Sequence, residues 1–406
     1  MLFHCGELTY ILAISIVALM NRKVIVSEDT ETALWWRLSH FKNPDRVSGL
    51  IRQAFSTASQ QNAEKQAKQI RYCLEQAEEY FKSAEVATLA TKPLLLYYGM
   101  ASLAWALILF KKPGEYAFDN INAQHQSHGL ERPGLDYGIR NLLIEELLTR
   151  IRISLSNPIQ GEQNGIELRG TFGLLYSVAR LEPVGVKYVR MNGDITETRT
   201  QLFTTVPERT TAESLVSSAL SLRQLLLDIP DMSPSLAELG MMPLFARVTD
   251  QKVMVHADGS HKLTVLTAGC TAEMNATLRS NAKRCERVSV SDVGNGLRLE
   301  ATWDKEDDKI RLPSMHETLD GRLHVYILQD LEPLPETSAL LAIMFIFGMV
   351  VRYYPHIWMH WLERRHPIVE VVEAFLPIVR RKYPNLILNN LTGDSFIFKR
   401  DGSSYS

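Results

Sequence analysis

The sequence predicts an α+β protein in which mainly helical N- and C-terminal portions pack together around one apolar central helix, with a β-rich insertion between them. Three observations carry this expectation. Residues 91–112 (TKPLLLYYGMASLAWALILFKK) make about five turns that are apolar on nearly every side, and a helix with no wet face belongs in the middle of a core. Helical spacing of apolar residues fills the segments before it, and a second apolar run recurs at 338–351. From Phe245 onward, FARVTD, QKVMVHAD, HKLTVLTAG, ERVSVSD, LRLEATWD and RLHVYILQD alternate with period two or have β-rich cores, each stopped by Asp, Gly or Asn. Short strands at such spacing form an antiparallel sheet or a small barrel.

Taken in order, the chain begins with an uncharged, mostly apolar run at 8–20 that is shorter than the roughly 20 residues needed to span a bilayer. Glu7 stands where a secretory signal carries a basic residue. The run reads as a buried element, with a short membrane anchor or a dispensable extension as alternatives. A short strand at 23–26 precedes a helix at 31–41 that Pro44 ends. From Pro44 a second helix sets Val47, Leu50, Ile51 and Phe55 on one face, and 63–81 is a long amphipathic helix with Ala67, Ile70, Leu74, Ala77 and Phe81 along one stripe. In the central helix, Pro93 suits the first turn, and Lys111-Lys112-Pro113-Gly114 supplies a positive last turn and a stop. Gly99 lets another backbone come close. Residues 136–154 return to helix, with Arg140 and Arg150 placed for solvation or anion binding. After Pro158, short runs at 166–169, 174–181 and 184–189 are apolar or alternating, and 215–227 is helical. Residues 332–336 are a linker, Pro355 opens a helix carrying Trp358, Trp361 and Leu362, a last helix covers 368–379, and 384–398 reads as an extended tail. The divisions are therefore 1–24, a helical part at 25–160, the insertion at 161–331, a closing helical part at 332–385 and a tail at 386–406.

The chain has 406 residues, 22% of them charged, with a formal net charge of −2. No global field therefore points to nucleic acid or an acidic membrane, although a local basic groove is compatible with that balance. Four cysteines without a CxxC pair fit a reducing compartment and supply no metal framework. GxGxxG, Walker and GxSxG patterns are all missing, so no cofactor is expected. The densest polar constellation is AQHQSHGL at 123–130, where imidazoles near neutral pKa are suited to proton transfer or metal binding. Its HxxH lacks the carboxylate of HExxH, so no metal is expected. The candidate site joins His128 as the proton-transfer group to Lys92, Arg352, Tyr98 and Tyr353 as phosphate or ligand contacts. Arginine offers a fork to phosphate oxygens and lysine a mobile charge. The competing account has Arg352 pairing with a carboxylate, Lys92 solvated and the tyrosines only packing.

WWRLSHFKNP at 35–44, KPLLLYYGMASLAWAL at 92–107, HGL at 128–130 and RYYP at 352–355 together resemble the bacterial YaaC-like protein family, over about residues 25–385. The resemblance implies a bacterial, cytoplasmic protein and brings no assigned activity with it. The helical part is also similar to HEPN domains, small bundles found in RNases and RNA-associated defence proteins. Their catalytic pattern separates arginine from histidine by four to six residues. Arg352 to His356 has three intervening residues and Arg352 to His360 has seven, so neither pair satisfies it. Two functions follow as expectations. One is an interaction or regulatory component, in stress response or antiphage defence, whose partner or homo-oligomer surface lies at about 166–330. The other is an RNA or nucleotide binding protein, with a HEPN-like ribonuclease as its catalytic form. Membrane association enters through residues 8–20, and the 338–351 run reads as a buried helix with a membrane helix as its alternative.

Overall fold

A computed structural model of the protein describes residues 22–112, 117–121, 125, 127–156, 159–160, 166–179, 184–190, 196–202, 219–255, 261–269, 271–282, 288–294, 296–303, 315–326 and 334–400. The apolar run at 8–20 and the part of the linker before Leu334 lie outside the described residues.

Local chemistry starts the first helices as the spacing predicts. Strand β1 (Arg22–Ser27) leads to helix α1 (Thr30–Ser39), whose N-cap Asp29 accepts from the Glu31 and Thr32 N–H groups. Asn43 caps α2 (Pro44–Ala54) through the Arg46 N–H, with Pro44 in the first turn. Ser59 caps α3 (Gln60–Val86), which is longer at both ends than its apolar stripe suggests. The central helix α4 (Lys92–Lys111) then packs against α3. Gly99 makes the close approach possible, because a Cβ there would lie 2.7 Å from the Phe81 ring.

Between 112 and 245 the elements are short: α5 (Ile144–Arg150), β2 (Arg152–Ile153), β3 (Ile159–Gln160), β4 (Ile166–Glu167), α6 (Gly170–Val178), β5 (Val184–Arg190), β6 (Thr196–Leu202), β7 (Leu220–Ser221), α7 (Leu222–Leu227) and α8 (Ser233–Glu238). Of the run at 174–181, residues 174–178 belong to helix α6, where Gly173 lets the helix press onto the Leu168 backbone, 2.5 Å from where a Cβ would sit. One expectation is corrected here. The expected helix over 136–154 is a 3₁₀ segment (Tyr137–Asn141) followed by α5 alone.

The β-rich insertion continues with β8 (Phe245–Val255), β9 (His261–Ala268), α9 (Ala272–Ala282), β10 (Val288–Val293), β11 (Gly296–Trp303), β12 (Met315–Glu317) and β13 (Leu323–Tyr326). Strands β10-β11-β9-β8-β13-β12 form one sheet in that order, antiparallel throughout. Strand β5 adds to β8 in parallel, and β6 pairs with β5. Leu297, Leu299 and Ala301 alternate inward on β11, and Met274 and Leu278 of α9 are buried with them. Helix α9 had no counterpart among the sequence expectations.

Three helices close the body: α10 (Glu336–Tyr353), α11 (Pro355–Glu363) and α12 (Pro367–Thr392). The chain finishes with β14 (Ser395–Arg400), paired in parallel with β1. The expected end at Val379 and extended tail from Pro384 are therefore corrected, since α12 continues through Pro377 and Pro384 to Gly393. Burial of Val379, Tyr383, Leu386 and Ile387 outweighs the hydrogen bonds that proline removes. Helices α4 and α10 are both long and apolar enough to cross a membrane, and both are mostly buried inside the protein.

The insertion is joined to the helical body by an interior ionic cluster. Lys382 of α12, 3% exposed, donates to the Asp231 carboxylate and, at 2.9 Å, to the Glu317 carbonyl of β12, and it is ion-paired with Glu336. Asp231 also accepts from the Leu319 N–H at 2.8 Å, and Tyr326 of β13 donates to Asp228 at 2.8 Å. Burial pushes the Asp228 and Glu336 carboxyls up, each to about 7, with the Lys382 charge partly opposing this at Glu336.

Candidate functional site

The site forms where α10 crosses α4. Gly348 interrupts an otherwise bulky stretch of α10, and a Cβ there would lie 3.1–3.3 Å from Tyr97. This notch admits the Tyr97 ring, which meets Phe345 edge-on with centroids 5.7 Å apart. The Tyr97 hydroxyl then lies 2.6 Å from the His128 Nδ1. Burial raises the Tyr97 hydroxyl far above the usual phenol range, so it stays protonated and needs an acceptor. We therefore assign Nδ1 as that acceptor and the ring proton to Nε2.

The loop carrying His128 is clamped from its other side. The Thr171 and Phe172 N–H groups, at the start of α6, donate to the Ser127 and His128 carbonyls at 2.9 and 3.0 Å. Gly129 and Gly170 have φ of +77° and +70°, and a Cβ on Gly170 would fall 2.3 Å from the Gly129 nitrogen. Only glycines let these two backbones meet, which gives the HGL motif a physical meaning. Partial burial of the ring, and then the nearby Arg352 charge, hold the His128 pKa below its usual value. His128 thus presents a neutral ring with an Nε2–H donor at neutral pH.

Arg352, in the last turn of α10, donates through Nη1 to the Tyr98 hydroxyl at 2.6 Å. Tyr98 in turn stacks on Tyr80 with centroids 5.7 Å apart. The Arg352 guanidinium lies 5.0 Å from the centre of the exposed Tyr353 ring, and Arg132 lies 5.0 Å from the same ring. Both arginines are exposed, and among the described residues neither has a carboxylate partner. Their positive charges are instead held together through one aromatic ring.

Four of the five sequence-predicted residues, His128, Tyr98, Arg352 and Tyr353, meet on this surface. Lys92 is half-buried at the start of α4, roughly 9 Å of helix rise before Tyr98. Among the described residues no contact joins it to the other four. In place of the carboxylate pairing of the competing account, Arg352 bonds to Tyr98. His125 is buried whereas His128 is exposed, and among the described residues no three His, Cys, Asp or Glu side chains converge on a metal position. Arg132 was not singled out by sequence reasoning, because its partner ring lies far along the chain and no local pattern signals the pairing.

Comparison with known proteins adds one finding. A family model described as YaaC-like Protein matches residues 39–142 and 187–391, most of the chain. No curated protein and no solved structure shows a significant match.

Proposed function

The chain belongs to the YaaC-like protein family, and we propose that it binds a phosphate-bearing ligand, RNA or a nucleotide, on the surface formed by Arg352, Arg132 and His128. The observation that carries this reading is the exposed Arg352 guanidinium, fixed by the Tyr98 hydroxyl and faced by a second cation instead of a carboxylate. Two like charges held against one ring repel each other, and an anion between them relieves that repulsion. Arginine forks match phosphate oxygens, and the Nε2–H of His128 adds a third donor. With its ring proton placed outward, His128 suits binding better than proton abstraction. The Arg–His spacing likewise lends no support to HEPN-type cleavage. Substituting Arg352→Ala and His128→Ala, with the fold checked by circular dichroism, is expected to lower binding of RNA or nucleotide. Unchanged binding in both folded variants rejects the site.

A second reading, an interaction or regulatory component, is favoured by the open edges of the insertion sheet. Among the described residues strand β10 pairs only with β11, and an edge of this kind offers N–H and C=O groups to another chain. Mass measurement of the full chain in solution checks it; a monomer that captures no partner leaves this reading without support. Both readings place the protein in the cytoplasm, with α4 and α10 serving as core. Recovery in the membrane fraction after cell disruption counts against that placement.

A further inference from the structure

Beside the phosphate surface lies a second stack that the reading above does not use. Tyr137 is 53% exposed, yet its ring is stacked on His356 with centroids 5.7 Å apart and planes 25° from parallel. The Arg140 guanidinium sits 3.6 Å from the centre of the same Tyr137 ring. Among the described residues Arg140 has no carboxylate partner. The nearest acid in sequence, Asp136, turns its carboxylate back to the Gly138 N–H at 2.7 Å. An Arg–Tyr–His stack thus stands next to the Arg–Tyr–Arg stack of Arg132, Tyr353 and Arg352, with Tyr353 and His356 only three residues apart.

The segment bearing Arg132, Tyr137 and Arg140 is also fixed in place. The Tyr354 hydroxyl donates to the Pro133 carbonyl at 2.8 Å, and the Trp361 indole donates to the Arg140 carbonyl at 3.1 Å. His360 meets the Asn141 amide oxygen at 3.3 Å, and His366 meets the Leu142 carbonyl at 2.9 Å. These bonds strap 133–142 to α11 and its flanks, so both stacks ride on one rigid support.

We propose that the two stacks form one continuous track for single-stranded nucleic acid. Arg352, Arg132 and Arg140 hold successive phosphates. Unpaired bases lie on the outward faces of His356 and of the guanidinium planes. Every base has a π-face, so such a track is tolerant of sequence, and planar guanidinium groups serve as stacking platforms as rings do. A duplex hides its base faces and offers only phosphates. A mononucleotide fills one stack and leaves the other empty. This inference rests on the phosphate reading of Arg352, which it narrows to a ligand several nucleotides long.

The test uses the intact protein and fluorescence anisotropy with oligouridylate and oligothymidylate of 2, 4, 8 and 12 nucleotides, a 12-base-pair duplex, and a competing nucleoside monophosphate. Affinity is expected to climb with length, to favour single strand over duplex, and to be alike for RNA and DNA. Tyr137→Ala and His356→Ala, checked for fold by circular dichroism, are each expected to weaken the 12-mer by about fivefold or more while leaving the monophosphate unaffected. Arg140→Ala is expected to reduce the slope of log affinity against log salt by about one. Arg352→Ala is expected to weaken every probe. If length has no effect, if the duplex binds as well, or if the Tyr137 and His356 variants bind the 12-mer normally, the track is overturned while the Arg352 site stands. If no probe binds the intact protein, both readings fall.

Discussion

Replacing Lys382 by methionine tests how the β-rich insertion is held to the helical body. The side chains are similar in length and the site is closed to solvent, so the substitution removes the charge, two donated hydrogen bonds and the ion pair to Glu336 with little change in volume. Asp231 keeps its Leu319 N–H, but Glu336 loses its ion-pair partner. Removing one partner of a buried ion pair costs about 3–5 kcal/mol, against a total stability of about 5–15 kcal/mol for a typical domain. The loss depends on pH in a definite direction. Glu336 is held above its usual value, so proton uptake stabilises the folded state: its contribution is complete below the unfolded value and is lost as pH rises through about 7. Without the Lys382 charge to oppose burial, the Glu336 pKa rises further. The variant then continues to lose stability where the wild type has levelled off, by up to about 1.4 kcal/mol per pH unit above 7. Urea unfolding at pH 6 and pH 8, followed by tryptophan fluorescence, measures both effects, and adding Glu336→Gln is expected to recover part of the loss. A penalty under about 1 kcal/mol, or one equal at the two pH values, refutes the argument.

Three further outcomes are expected. Gly170→Ala forces a side chain into positive φ and against the Gly129 backbone; it is expected to destabilise the protein by at least about 1–2 kcal/mol in denaturant unfolding. Arg352→Ala removes the charge that helps to depress His128, so its imidazole titration, followed by NMR, is expected to move upward; a downward shift contradicts the assigned proximity. Burial pushes the Cys73 thiol up to about 12, so peptide mapping after alkylation at pH 8 is expected to find Cys73 unmodified until the protein unfolds.

What the sequence made legible follows from which forces are local. The apolar runs that became α4 and α10, the start of α2 at Pro44, and the alternation in β8 to β11 each appear within one or two turns or one strand. Gly99 was legible as a point of close approach because glycine has few other uses inside a helix. Helix α6 is not legible in the spacing because its glycines serve packing against Leu168 and Gly129, contacts that spacing does not announce. Helix α12 was cut short because proline rules assume an exposed helix. At the site, His128, Tyr98, Arg352 and Tyr353 were found as chemical types. The orientation of His128 was not, since it depends on Tyr97 and on the Gly348 notch. Lys382 sits in an Arg-Arg-Lys run that looks like a solvated surface, and the Asp231 that neutralises it lies 151 residues away.

The pairing of β1 with β14 sets a schedule for biosynthesis. Lys23 and Asp394, ion-paired across those strands, are 371 residues apart, so β1 leaves the ribosome long before its partner exists. At about 5–20 residues per second the interval is roughly 20–75 s. Arg380, which bonds both Glu31 and Glu85, arrives equally late. During that interval α1 to α4 can collapse on one another, but Val24 and Val26 stand on an unpaired strand that is a target for chaperones or for other nascent chains. A transcript truncated before residue 395 would therefore yield a product with its inner helices in place and this strand permanently open, the kind of molecule that quality control removes.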